Sequence, residues 1–218
     1  MELFCYFATT VCVAICAINF LLIARKAFLL DQVSLFAFHP VLMSLGFVLF
    51  IAAVLISKLR QSKRFQRKKV IQVHYALLLI GYLLMLAGLF IIVAEKNMAG
   101  KTHLQTYHDW TGLVGLAFMS LNILIGIPRI FKLWQSKLEG IWKYHIAFGI
   151  IALLASSAAF FLGFKTKWGI AMLDHEGIVL FTTFIPVVTL TALVPANLLF
   201  PLTEEKNPLA ETELLNRL

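Results

Sequence analysis

The sequence predicts an all-α, polytopic membrane protein of six transmembrane helices, and three observations predict it. Of 218 residues, 61% are apolar and only 14% are charged, against about 45–50% and about 25% in soluble domains. The mean hydropathy is +0.88. Six nearly uncharged stretches reach the length of about 20 residues that a helix needs to cross a bilayer. Their loops leave no room for a second, soluble domain, so residues 1–218 read as a single transmembrane domain.

The first span, residues 3–24, is preceded only by Met1 and Glu2. It lacks a basic leader and exceeds the apolar segment of a secretory signal, so it reads as a retained anchor. Cys5, Cys12 and Cys16 all fall inside it. Spacings of seven and four put them on one helix face, as small packing residues without a disulfide or Cys-x-x-Cys pattern. The second span covers about 39–57, with Pro40 expected in its first turn, where a missing amide costs little. The third covers 70–94, the fourth about 108–128 with Pro128 closing it, and the fifth 144–164. The sixth covers 177 to about 200, with Pro186 and Pro195 as expected kinks.

Six spans put both termini on one side with the loops after spans two and four. That side carries Lys58, Arg60, Lys63, Arg64, Arg67, Lys68, Lys69, Arg129, Lys132, Lys137, Lys143, Lys206 and Arg217, which is 13 of the 19 basic residues. Short cytoplasmic loops hold the excess of Lys and Arg, so both termini are expected in the cytoplasm. The net charge of +8 and pI near 9.5 therefore report topology. No nucleic-acid partner is expected, because these residues flank spans and lack interleaved aromatics on a soluble fold.

Four of the six histidines open consecutive spans: His39, His74, His108 and His145, separated by 35, 34 and 37 residues. Successive helices run in opposite directions, so His39 and His108 fall near the non-cytoplasmic side and His74 and His145 near the cytoplasm. The two depths lie on the order of 20 Å apart at 1.5 Å per residue. Ionisable groups within spans are costly and point to function by default. Haem iron suits such pairs, because it takes one imidazole from each of two facing helices. Zinc suits them less, since it needs three or four ligands close together. A proton-coupled or divalent-metal transporter could use the same histidines, although no span carries a central Asp or Glu. Spans two to five thus form an expected di-haem core, flanked by spans one and six.

Glycine recurs at four, seven or fourteen residues past each of these histidines: Gly46, Gly81 and Gly88, Gly112 and Gly115, and Gly149. These spacings return to nearly the same helix face. They are expected to open the side-chain layer for a macrocycle, in competition with the ordinary use of glycine in close helix packing.

Ser34-Leu35-Phe36, followed by His39-Pro40-Val41 and Met43, resembles the "SLFxxHPVxM" stretch of the short branch of the cytochrome b561 family. Thr102-His103-Leu104 through His108 resembles its "HLxTxH", and Tyr144-His145 its "YH". The resemblance covers about residues 34–200. It implies a six-helix fold, often a homodimer, with one haem b on His39 and His108 and a second on His74 and His145. It further implies that cytoplasmic ascorbate gives one electron, which passes both haems to monodehydroascorbate or ferric iron across the membrane. The expected location is an endomembrane, vesicle or plasma membrane. Gln72 stands where other branches carry a lysine two residues before the third-helix ligand.

Lys68, Lys69 and Lys143 lie near the cytoplasmic histidine pair, where positive charge would gather an anion such as ascorbate. The same lysines would also fix orientation or meet anionic headgroups. On the other side, His103, Asp174, His175 and Glu176 offer imidazole and carboxylate groups that suit transient ferric iron. Asp109 is expected either to orient the His108 ring or to satisfy the charge preference of a helix start.

Overall fold

The computed structural model describes residues 2–29, 34–59, 66–130 and 142–172. All regular structure among them is helical: α1 (Glu2–Leu29), α2 (Leu35–Lys58), α3 (Arg67–Met98), α4 (Tyr107–Ile130), α5 (Trp142–Phe164) and the short α6 (Lys167–Met172). The expected sixth span, with Pro186 and Pro195, lies outside the described residues. Helices α2 to α5 are each long and apolar enough to cross a membrane. Helix α1 contains the expected first span and packs along α2.

The two prolines expected at helix ends lie inside their helices, and α3 extends past the expected 70–94 at both ends. Helix α2 starts a turn early, where Ser34 serves as N-cap and its carbonyl accepts from the Ala37 amide at 3.0 Å. Pro40 is therefore the sixth residue of the helix, inside it, and one amide-to-carbonyl bond is forgone. Pro128 likewise sits within α4, which runs on to Ile130. The residues after a proline keep their own amides, so a helix can continue one bond short.

The bundle is built as two tight antiparallel pairs, α2 with α3 and α4 with α5. One buried cluster joins them: Phe50, Ile51 and Leu55 of α2, Leu78 and Met85 of α3, Met119 of α4, and Leu153 of α5. Leu83, Phe90, Leu124 and Leu154 face outward and exposed, as expected of side chains that meet acyl chains instead of water.

Glycine sets the helix distances. A Cβ on Gly46 would stand 2.7 Å from the Gly81 carbonyl oxygen, and one on Gly81 would stand 2.9 Å from the Gly46 carbonyl oxygen. Gly115 meets Ser156 Oγ in the same way at 2.7 Å, and Gly149 meets Asn122 Nδ2 at 3.2 Å. At these four positions neighbouring helices fill the space, which favours the close-packing alternative there, whereas a Cβ on Gly112 would meet only Ala159 Cβ at 3.8 Å. In a bilayer, close backbone approach is a main source of attraction between helices.

Between the two pairs, Tyr82 of α3 reaches Ser120 of α4 at 2.6 Å, and Ser120 Oγ donates to the Leu116 carbonyl at 2.8 Å. The serine proton is thereby committed, so the tyrosine hydroxyl is the donor between the pairs. Interhelical hydrogen bonds within membranes average about 0.6 kcal/mol and reach about 1.7 kcal/mol. Tyr82→Phe is expected to lower stability by an amount in that range, read from denaturant unfolding in detergent with the helical signal of the native state unchanged.

Candidate functional site

The four histidines sit at the fifth residue of α2, the eighth of α3, the second of α4 and the fourth of α5. Each ring is fixed by the same device. His39 Nδ1 lies 3.0 Å from the Gly88 carbonyl and His74 Nδ1 lies 2.7 Å from that of Ala53. His108 Nδ1 lies 2.8 Å from the Ala159 carbonyl and His145 Nδ1 lies 3.2 Å from that of Asn122. A carbonyl only accepts, so every Nδ1 carries a proton, and in the neutral ring the lone pair lies on Nε2.

These bonds run reciprocally within each helix pair, and every acceptor stands fourteen residues past the histidine of its own helix. Fourteen residues advance a helix by about 21 Å and return it to nearly the same face. Each helix therefore holds its own histidine at one depth and steadies its neighbour's histidine at the other. This is the depth alternation that antiparallel polarity predicts.

At the depth of His39 and His108 the two pairs meet. The His39 and His108 rings face each other with centroids 6.3 Å apart and planes at 90°. Phe36 lies 6.0 Å from His39, and Trp168 of α6 lies 5.9 Å from Phe36. Gly163 lies against His108, where a Cβ would stand 3.2 Å from Cε1, and Gly126 lies against His145 at 3.6 Å. The sequence reading missed both glycines. Each stands eighteen residues, five full turns, past the histidine of its own helix, a spacing that would have marked them.

At the end of the bundle where α3 and α5 begin, Lys68 and Lys69 are exposed in the first turn of α3. Lys143 is exposed at the start of α5, with Nζ 5.4 Å from the Tyr144 ring centre. On the opposite side, His103 is exposed, and its Nε2 lies 2.8 Å from Asn97 Oδ1. Asp174, His175 and Glu176 lie outside the described residues. Asp109 does not orient His108, whose Nδ1 is taken by Ala159. It accepts from Lys96 Nζ at 2.9 Å and from the Gln105 amide at 3.1 Å.

The eukaryotic cytochrome b561 family model matches residues 38–185, well over half of the chain. The chain belongs to this family. It is 31% identical to bovine transmembrane reductase CYB561D2 over 163 residues, 72% of each chain. It is 25% identical to ascorbate-specific transmembrane electron transporter 2 of Zea mays, over 73% of this chain and 67% of that one. Rat lysosomal membrane ascorbate-dependent ferrireductase CYB561A3 is 30% identical, over 62% of this chain and 54% of its own. The chain is an integral membrane protein, and its family and reductase relatives place it among haem-binding oxidoreductases.

The residues suit haem. The His39 and His108 rings, one from each helix pair with centroids 6.3 Å apart, would leave room for one metal ion between them. Histidines that bind metals commonly donate their outer N–H to a carbonyl or carboxylate, as all four do here. Beside His145, Asn122 is buried, with Oδ1 lacking a partner among the described residues. Buried acceptors are rarely left so, which leaves a place for a further polar group.

Proposed function

We propose that this cytochrome b561 carries single electrons across the membrane from cytoplasmic ascorbate to monodehydroascorbate or ferric iron on the other side. His74 and His145 hold one haem b near the cytoplasm, and His39 and His108 hold another near the opposite face. The observation that carries this reading is the fourfold repeat of an Nδ1–carbonyl bond fourteen residues past a histidine. Bound at these two depths, haem would supply iron that accepts and releases one electron.

The chain's own groups do the rest. Lys68, Lys69 and Lys143 present cationic charge to an approaching ascorbate anion. Ascorbate would then lose one electron to the His74–His145 site and one proton to the surrounding water, leaving monodehydroascorbate on the cytoplasmic side. The reciprocal carbonyl bonds hold all four imidazoles in one tautomer and orientation, so little needs to rearrange when charge moves. The apolar cluster of α2 to α5 excludes water between the depths. At the far face, His103, with Asp174, His175 and Glu176, offers ligands for ferric iron, which leaves as ferrous iron after gaining one electron. A homodimer and an endomembrane, vesicle or plasma-membrane location complete the proposal.

The test is a visible spectrum of the purified chain with haem measured per polypeptide. Two b-type haems per chain, both reduced by added ascorbate, are expected. Colourless protein from haem-replete cells would overturn the reading.

A further inference from the structure

We infer that the Lys96–Asp109 ion pair sets the electron affinity of the His39–His108 site by cancelling charge beside it, and that Lys96 and Asp109 are positioning residues for the far-side electron step. The inference rests on the proposed ligation of a haem by those two histidines. Asp109 directly follows His108 in the first turn of α4, and Lys96 comes from the last turn of α3. Their side chains meet at 2.9 Å and are only 20% and 16% exposed, so water and salt screen them less than they would a surface pair.

The local structure is built to hold the pair together. Gly100 takes a left-handed conformation (φ 62°) at the end of α3, where the Lys101 amide donates back to the Lys96 carbonyl at 2.8 Å. The returning loop presents the Gln105 amide to Asp109 Oδ2 at 3.1 Å, while the Asp109 amide donates to Thr106 Oγ1 at 3.1 Å. A clamp on this loop would explain the contacts but has no need of opposite charges next to a histidine that faces its partner ring.

A site that accepts an electron gains one unit of negative charge, so a nearby anion opposes reduction and a nearby cation favours it. Together the two nearly cancel. Removal of either alone leaves the other uncompensated in a poorly screened place, where unit charges act strongly.

The experiment is a spectroelectrochemical titration of the full-length, haem-loaded chain that resolves the two haems, on wild type, Asp109→Asn, Lys96→Met and the double variant. Asp109→Asn is expected to raise the potential of the haem lost in His39→Ala, and Lys96→Met to lower it. Each change shifts the electron-exchange equilibrium between the haems about tenfold, or about 59 mV for a one-electron couple. The double variant returns close to wild type, and the other haem stays put. Should one variant lose haem, Lys96→Gln and Asp109→Ser carry the same charge changes. Shifts in the same direction, no shift, or equal movement of both haems would overturn the inference. A His39→Ala chain that kept both haems would instead overturn the ligation reading beneath it.

Discussion

His108→Ala is expected to yield a folded chain that has lost one haem, still takes electrons from ascorbate into the other, and no longer reduces an acceptor on the far side. His74→Ala gives the opposite pattern: the remaining haem is reduced slowly or not at all by ascorbate from the cytoplasmic face. The two depths are about fourteen residues of helix apart, on the order of 21 Å, and each takes one ligand from each tight helix pair. Orienting partners alone are worth about 10- to 100-fold in metal affinity, and a lost ligand costs more. The measurement is haem content with a redox difference spectrum, then reduction of ferric chelate enclosed in vesicles with ascorbate outside. Equal loss of both haems in a well-folded His108→Ala chain would contradict the separate-pair assignment.

The positions behind that expectation were legible in the sequence because they depend on residue type and helix polarity. Histidine in a span is rare enough to stand out, and antiparallel helices sort alternate residues to alternate ends without further information. The groups that steady those histidines were not legible. Gly88, Ala53, Ala159 and Asn122 act through backbone carbonyls, and a carbonyl has the same chemistry whatever side chain it bears. Only the regular interval of fourteen gives them away, and it acquires meaning once the helices are paired. Of the two readings of Asp109, the ring-orienting one fails because the imidazole points across to α5 and the carboxylate turns toward Lys96, while the acidic residue does stand in the first turn of α4, as a helix start prefers. Pro40 misled because the helix start was judged from hydropathy, whereas Ser34 caps α2 a turn sooner.

The glycines show the sharper ambiguity, and they carry the second large expected effect. Gly46→Ala adds one methyl where a Cβ would stand 2.7 Å from the Gly81 carbonyl oxygen and 2.6 Å from Met85 Cγ. Met85 can turn away, but a backbone oxygen inside a helix cannot, so α2 and α3 must part. Overpacking a close-packed interior costs about 1–3 kcal/mol. That pair carries the reciprocal bonds His39–Gly88 and His74–Ala53, so separation loosens one ligand at each depth at once. Both haems are therefore expected to become labile together, unlike the one-sided loss in the histidine variants. Gly112→Ala is the matched control for helix packing, read from the helical signal alone, because its Cβ would meet only Ala159 Cβ at an ordinary 3.8 Å, and alanine in a helix is favoured over glycine by up to about 1 kcal/mol. Thermal unfolding in detergent, followed at the haem band and by helical signal, distinguishes the two. If Gly46→Ala matched Gly112→Ala, then α2 and α3 would not be held together at this crossing, and the paired fixation of the histidines would have to come from elsewhere.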